Sequence, residues 1–296
     1  TLKPTKEKSI LRRHPWVFSG AIKAIENGIS NGDIVEIKSN KGRFLGYGHY
    51  NEGTIAIRIF ELTQVTIDNQ YWEIKIKKAI SERHHNLEIN DDNNIYRLIH
   101  AEGDEMPGCI IDRYNNVIVM QFHSLGMWKL KDVFSEILVK ILPEIDVIYD
   151  KSENTLPDIL KEEFQIQNSY LLKKIDTSDV IASEYGNQFK INWVTGQKTG
   201  FFIDQRENRK LLGIYGQDKV ILNTFCYSGG FSIYALNKGA KKVYSLDSSK
   251  KAMKLVEENI KLLPQDLQQK HYSITDDAMD YIKQLPETFD VIICNL

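Results

Sequence analysis

The chain has 296 residues, 42% hydrophobic and 26% charged, with a formal net charge of −2. That length predicts two or three domains at roughly 100–200 residues each, and the near-neutral balance confines any nucleic-acid contact to a local patch. No apolar run approaches the ~20 residues of a membrane span, and the N-terminal TLKPTKEKSILRR lacks an apolar signal core. Three scattered cysteines, Cys109, Cys226 and Cys294, predict a reducing cytoplasm, no disulfide framework and, lacking ligand spacing with histidine, no metal site.

Residues 1–70 read as short strands and turns. DIVEIKS (Asp33 to Ser39) and TIAIRIFEL (Thr54 to Leu62) alternate apolar and polar residues, with SNKG and GYGHYNEG supplying turns. A small β-barrel or sandwich that leans basic is expected. Arg13, His14, Trp16 and Phe18 mix cations with aromatics, which suits a nucleic-acid backbone and a stacked base. The same rings would serve equally well as core, with the nearby lysines merely solvated.

Residues 71–175 change pattern. Trp72, Ile76, Ala79 and Ile80 recur at helical spacing; strands, a helix from about Met127 to Leu142 and the strand DVIYDKS follow. This predicts an α+β unit. The acids of GDEMPG and DRY tempt as catalytic groups, but acids beside turns more often cap or face solvent.

EYGNQFKINWV reads as a hairpin in the last segment, residues 176–296, and TGQKTGFFIDQRENRKLL follows it. Three βα units then succeed one another and a fourth strand, FDVIIC, ends the run, implying a doubly wound parallel sheet. Ligands of such sheets sit outside the carboxyl ends of the strands. The first turn, NTFCYSGGF, brings Gly229 and Gly230 to a helix start without the G-x-G-x-x-G of a dinucleotide loop. Asp247, ending the second strand, could accept both hydroxyls of a ribose or cap the helix near Lys250. Asp277, after the third strand, could accept from an adenine amino group or cap the next helix. A ribose acid without a pyrophosphate loop points to a nucleoside lacking phosphates, for which S-adenosylmethionine (SAM) qualifies.

RRHPWVFSGAI, EGDEMPGCIIDRYNNVIVMQ, KTGFFIDQRENR and LNTFCYSGGFSIYALNKGAKKVYSLDSSKKAMKLVEEN together resemble the bacterial class I ribosomal RNA large-subunit methyltransferase family, in matching order over nearly the whole chain. The resemblance implies an α/β architecture: a small β-rich PUA-like RNA-binding domain (1–70), an α+β middle domain (71–175) and a C-terminal Rossmann-like methyltransferase domain (176–296). It implies SAM-dependent methylation of C5 of a cytosine in large-subunit rRNA, with rRNA as partner, no membrane, and homodimerisation as an expected assembly. Carried over by position, Phe225, Tyr227, Ser228, Gly229 and Gly230 form the cofactor loop; Asp247 and Ser248 hold the ribose and Asp277 the adenine. Thr199, Gly200, Phe201, Asp204, Gln205 and Arg206 lie beside the methionine end, and Arg13, His14 and Trp16 fall on the RNA side.

The family's fourth strand runs into Asp-Pro-Pro; here Asn295 stands in the Asp position and Leu296 follows, so a truncated domain is expected. C5 methylation normally needs a thiolate adding at C6 and a base for the C5 proton. The family's cysteine belongs to a later segment; within this chain Cys294, Asn295 and Cys226 are the catalytic candidates. A non-catalytic RNA-binding protein and a nicotinamide-dependent oxidoreductase are the competing readings.

Overall fold

The computed structural model describes residues 1–285 and 287–294; the candidate Asn295 lies outside the described residues. The chain divides into two compact units, residues 1–88 with 96–176 and residues 89–95 with 177–296.

The first unit opens with a four-stranded sheet ordered β1-β4-β3-β2, built from Trp16–Phe18, Ile34–Lys38, Phe44–Tyr50 and Ile55–Glu61 in chain order. Alternation puts Val17, Val35, Ile37, Leu45, Ile57 and Ile59 inside together with Leu2 and Ile10. Gly48 sits where β3 meets β4 so closely that a Cβ would lie 2.6 Å from the Arg58 carbonyl oxygen. The helix Asn69–Asn86 starts at Asp68, whose carboxylate accepts from the Tyr71 amide at 2.9 Å, and buries Trp72, Ile76, Ala79 and Ile80 as the spacing predicts. A five-stranded sheet follows in chain order: β5 (Ile95–His100), β6 (Cys109–Tyr114), β7 (Val117–Phe122), β8 (Val147–Asp150) and β9 (Ser169–Lys173). Between β7 and β8, where one continuous helix was expected, a short helix Leu125–Trp128 precedes Lys131–Ile141. The acids of the two tempting motifs are structural: Asp104 pairs with Arg83, Glu105 with Lys75 and Asp112 with Arg97.

In the second unit β10 (Asp179–Glu184) and β11 (Asn187–Asn192) form the expected hairpin. Its two-residue turn places Tyr185 (φ 49) and Gly186 (φ 77) in the left-handed region, which suits a tight hairpin connection. The helix Arg206–Tyr215 leads to β12 (Val220–Thr224), β13 (Lys242–Leu246), β14 (His271–Ile274) and β15 (Val291–Cys294). These strands are all parallel and ordered β14-β13-β12-β15. Strand order therefore reverses beside β12, the switch point where open α/β sheets bind ligands. The architecture is α/β, with a Rossmann-like sheet in this unit. Among the described residues no helix is long and apolar enough to cross a membrane.

Candidate functional site

The cleft at the carboxyl ends of β12 and β13 measures about 870 Å³. It is built within the second unit from the open end of the hairpin (Asp179, Lys190), the 192–205 loop, the 225–229 turn, Asp247 with Ser249, and the helix Lys250–Ile260.

The turn needs unusual backbone. Phe225 (φ 54), Tyr227 (φ 48) and Gly229 (φ 76) all lie in the left-handed region, and Gly229 packs against Val256 with no room to spare, since a Cβ there would come within 3.3 Å. Gly230 begins the buried helix Gly230–Asn237. This folding directs the Tyr227 amide to Asp247 Oδ2 at 3.1 Å while Asp247 Oδ1 accepts from the Ser249 amide at 2.9 Å. Ser249, not Asp247, caps the following helix, its hydroxyl accepting from the Ala252 amide. Asp247 is thus a half-buried carboxylate at the cleft, oriented by two backbone donors. Each oxygen retains acceptor capacity for a ligand diol.

The loop is held from below. Asn192 Oδ1 accepts from the Thr195 amide at 2.7 Å, and Gly200, with φ at 136°, closes a turn on the Gln197 carbonyl. The Tyr227 hydroxyl accepts from the Gln197 amide at 2.8 Å and reaches the Gly200 carbonyl at 3.4 Å. Burial pushes the Tyr227 phenol up, so the group stays a neutral hydroxyl that can do both. Lys251 Nζ donates to the Thr195 carbonyl at 3.0 Å. Lys198 lies 4.2 Å above the Phe202 ring and 3.4 Å from Asp204. The cleft lining therefore carries acids and bases together, which suits a zwitterion, and the Asp247 carboxylate besides.

Of the residues singled out by sequence, Asp204, Gln205, Phe225, Tyr227 and Asp247 line this cleft. Thr199 and Ser228 are buried beneath it. Phe201 turns inward instead, its ring 4.9 Å from Phe189 and 4.5 Å from the Arg209 guanidinium; Phe202 takes the cleft position. Arg206 also turns inward and pairs with Glu184 at 3.1 Å. Ser248 is exposed beside Ser249, which lines the cleft in its place. Asp277 is exposed and its Oδ1 caps the helix Ala278–Ile282 through the Met279 and Asp280 amides. Sequence reasoning passed over Ser249 and Lys251 and left open whether Phe201 or Phe202 packs beneath the loop; for Lys251 the one available signal was its place in the first turn after a predicted cap.

Cys226 does not suit nucleophilic work. It is buried with Sγ 3.7 Å from the Met253 sulfur, and burial, aided by the Asp247 charge, pushes its thiol far above the ordinary value. Cys294 is exposed and faces Thr224 in register at the end of β15. Native-state alkylation followed by mass spectrometry is expected to modify Cys294 and leave Cys226 untouched; fast labelling of Cys226 would contradict the burial argument. Of the RNA-side residues, Arg13 and His14 are exposed, while Trp16 is half-buried and donates from Nε1 to Glu102 at 2.9 Å.

Two family models match the chain: a PUA-like domain over residues 1–62 and an S-adenosylmethionine-dependent methyltransferase over residues 169–289. With the parallel sheet and its cleft, these place the protein among SAM-dependent methyltransferases that carry a PUA-like domain. A Pseudoalteromonas atlantica protein named ribosomal RNA large subunit methyltransferase I is 38% identical over 262 residues, covering 88% of this chain and 65% of its own length. The Shewanella frigidimarina protein of the same name is 35% identical over 300 residues, covering 99% of this chain and 74% of its own. The chain belongs to the ribosomal RNA large subunit methyltransferase I family. It spans about two thirds to three quarters of the length of these relatives. A solved structure from Streptococcus mutans, described as a candidate SAM-dependent methyltransferase, shares the fold with a TM-score of 0.81 at 21% identity, covering 99% of this chain and 75% of that one. A second, likewise described as a candidate methyltransferase and complexed with SAH, also aligns with a TM-score of 0.81 at 21% identity, over 97% of this chain and 73% of its own.

Proposed function

We propose that this protein is a cytoplasmic methyltransferase that moves the methyl group of SAM to C5 of a cytosine in large-subunit rRNA. Residues 1–70 and 71–175 would serve the RNA and residues 176–296 the cofactor. The observation that carries the reading is the cleft, in which an oriented carboxylate and a mixed acid–base lip flank a turn that leaves no pyrophosphate cradle. SAM supplies an electrophilic methyl on a sulfonium. Asp247 would accept from the ribose hydroxyls, and Phe225 and Leu255 give the cleft apolar wall. Asp204 suits the ammonium of the methionine tail, and Lys198 and Lys251 its carboxylate. Tyr227 holds the loop from which these groups project. Cytosine C5 as the target is what the resemblance of the motif set implies. Cys294, exposed at the end of β15, remains a thiol candidate of this segment.

Two experiments test the reading. Calorimetry should detect S-adenosylhomocysteine and not NAD; the reverse would favour an oxidoreductase. Mass spectrometry of rRNA from a strain lacking the gene should lose one 5-methylcytidine, and an unchanged pattern would refute the target. Asp247→Ala is expected to weaken S-adenosylhomocysteine binding by ~1–3 kcal/mol, as for a charged acceptor losing its donors. Unchanged affinity in a folded variant would remove Asp247 from the site.

A further inference from the structure

The first unit has a seam where the β1–β4 sheet meets the helix Asn69–Asn86 and the second sheet. Its inner part is a run of rings: His49 lies 4.9 Å from Phe60, Phe60 5.1 Å from Trp72, and Trp72 5.6 Å from Phe134. Its outer end is different. Arg58 of β4 stands opposite both Trp16 of β1 and His49 of β3, so its side chain shares their face. Arg58 is half-buried, and among the described residues it closes no ion pair and makes no side-chain hydrogen bond. Three arginines of the same unit behave otherwise: Arg83, Arg97 and Arg113 are paired with Asp104, Asp112 and Glu144.

Holding a guanidinium partly out of water without an anion costs free energy that a bound anion would offset. Glu102 supplies an opposing charge beyond ion-pair distance, and its Oε1 accepts from Trp16 Nε1 at 2.9 Å. That bond fixes the indole as a wall. Beside it Phe18 is 44% exposed, with its ring 5.9 Å from His14 and 6.5 Å from Trp16. An exposed ring cluster next to a guanidinium with no direct ion pair among the described residues matches the alternation of base and phosphate along an unpaired strand.

We propose that this seam binds one unpaired nucleotide of an RNA substrate, the base stacking on Phe18 and His14 and the phosphate taken by Arg58, with Glu102 positioning Trp16. The inference rests on the RNA reading above and adds the contact that reading lacks. It adds Arg58 as a phosphate contact to the RNA-side residues Arg13, His14 and Trp16, and gives Glu102 of the EGDEMPG motif a positioning role.

The test uses the whole chain and a single-stranded RNA of about twelve nucleotides carrying one 2-aminopurine. Phe18→Ala is expected to weaken binding about tenfold and abolish 2-aminopurine quenching while leaving the salt slope unchanged. Arg58→Gln should weaken binding to a similar degree and reduce the slope by about one phosphate contact. Arg58→Lys should restore the slope without the full affinity, since it keeps charge but not the fork. Circular dichroism and thermal unfolding check that each variant is folded, and calorimetry with S-adenosylhomocysteine that the cleft of the second unit is intact. Wild-type affinity and quenching in both Phe18→Ala and Arg58→Gln, with rRNA still methylated, would overturn this site alone. Tight competition by a free nucleoside monophosphate would replace RNA with a small-molecule ligand. A wild-type chain that binds no RNA at all would sink both this site and the RNA reading.

Discussion

Replacing Glu184 with alanine is expected to cost the second unit about 3–5 kcal/mol of stability, the range for breaking a buried ion pair from one side. The carboxylate is fully buried at the end of β10. Its Oε1 accepts from Arg209 Nε at 2.8 Å and from the Tyr234 hydroxyl at 2.9 Å. Its Oε2 accepts from the Arg209 terminal amine at 2.8 Å and Arg206 Nε at 3.1 Å. Alanine would leave two buried guanidiniums without a counter-charge, Arg209 on the Phe202 carbonyl and Arg206 on the Ile95 carbonyl and the Tyr185 hydroxyl. The carboxylate joins the hairpin, the helix Arg206–Tyr215 and the helix Gly230–Asn237, so its loss should also loosen the Phe202 side of the cleft. Urea denaturation reads the stability, and S-adenosylhomocysteine titration the cleft. Replacing Glu184, Arg206 and Arg209 together by apolar residues of similar size should recover much of the loss, because desolvated charge is then removed rather than orphaned. A Glu184→Ala loss below about 1 kcal/mol would contradict the accounting, since it would fall within the range of an exposed pair.

This cluster was invisible in the sequence. Glu184 and the two arginines lie on different elements, and no spacing rule links a strand end to a helix that follows a loop. The same irregular loop hid which phenylalanine faces the cleft: consecutive residues in a segment without a period give no clue, and the structure sends Phe201 inward and Phe202 outward. Where a period exists the sequence was readable. Parallel strands appear as apolar-rich runs bounded by turns, so VILNTF, KVYSLD and FDVIIC announced β12, β13 and β15 within a residue or two. The carboxyl-end rule then placed the cleft. At LDSS the sequence left Asp247 open between capping and ribose binding; only the backbone decides that Ser249 is the cap. The seam around Arg58 needed the register between β1, β3 and β4, which alternation suggests but cannot align.

The second large effect concerns acid. His49 is 2% exposed, stacked at 6.2 Å on Trp72, with its Nδ1 buried and unpartnered. Gly126 lies so close that a Cβ there would fall 2.2 Å from the ring. Burial, aided by the Lys129 charge, lowers its pKa from 6.5 to about 3. The folded pKa is therefore below the unfolded one, and between pH 6.5 and 3 the unfolded chain binds a proton that the folded chain refuses. Stability from this group is whole above pH 6.5 and is lost as pH falls toward 3. At about 1.4 kcal/mol per pKa unit the full loss is on the order of 4–5 kcal/mol. His271, lowered to about 4 by burial, and His123, lowered by burial and the charges of Arg58 and Arg97, add losses of the same sign, so the wild-type curve alone does not isolate His49. The difference between wild type and His49→Phe does. Whatever constant offset repacking against Gly126 introduces, the variant should lose acid sensitivity, with the two stability curves converging or crossing as pH drops from 6.5 to 4. Chemical denaturation at half-unit pH steps reads this directly. Parallel curves across that window would mean that His49 is protonated in the fold, contrary to a ring enclosed by Phe60, Trp72 and Gly126.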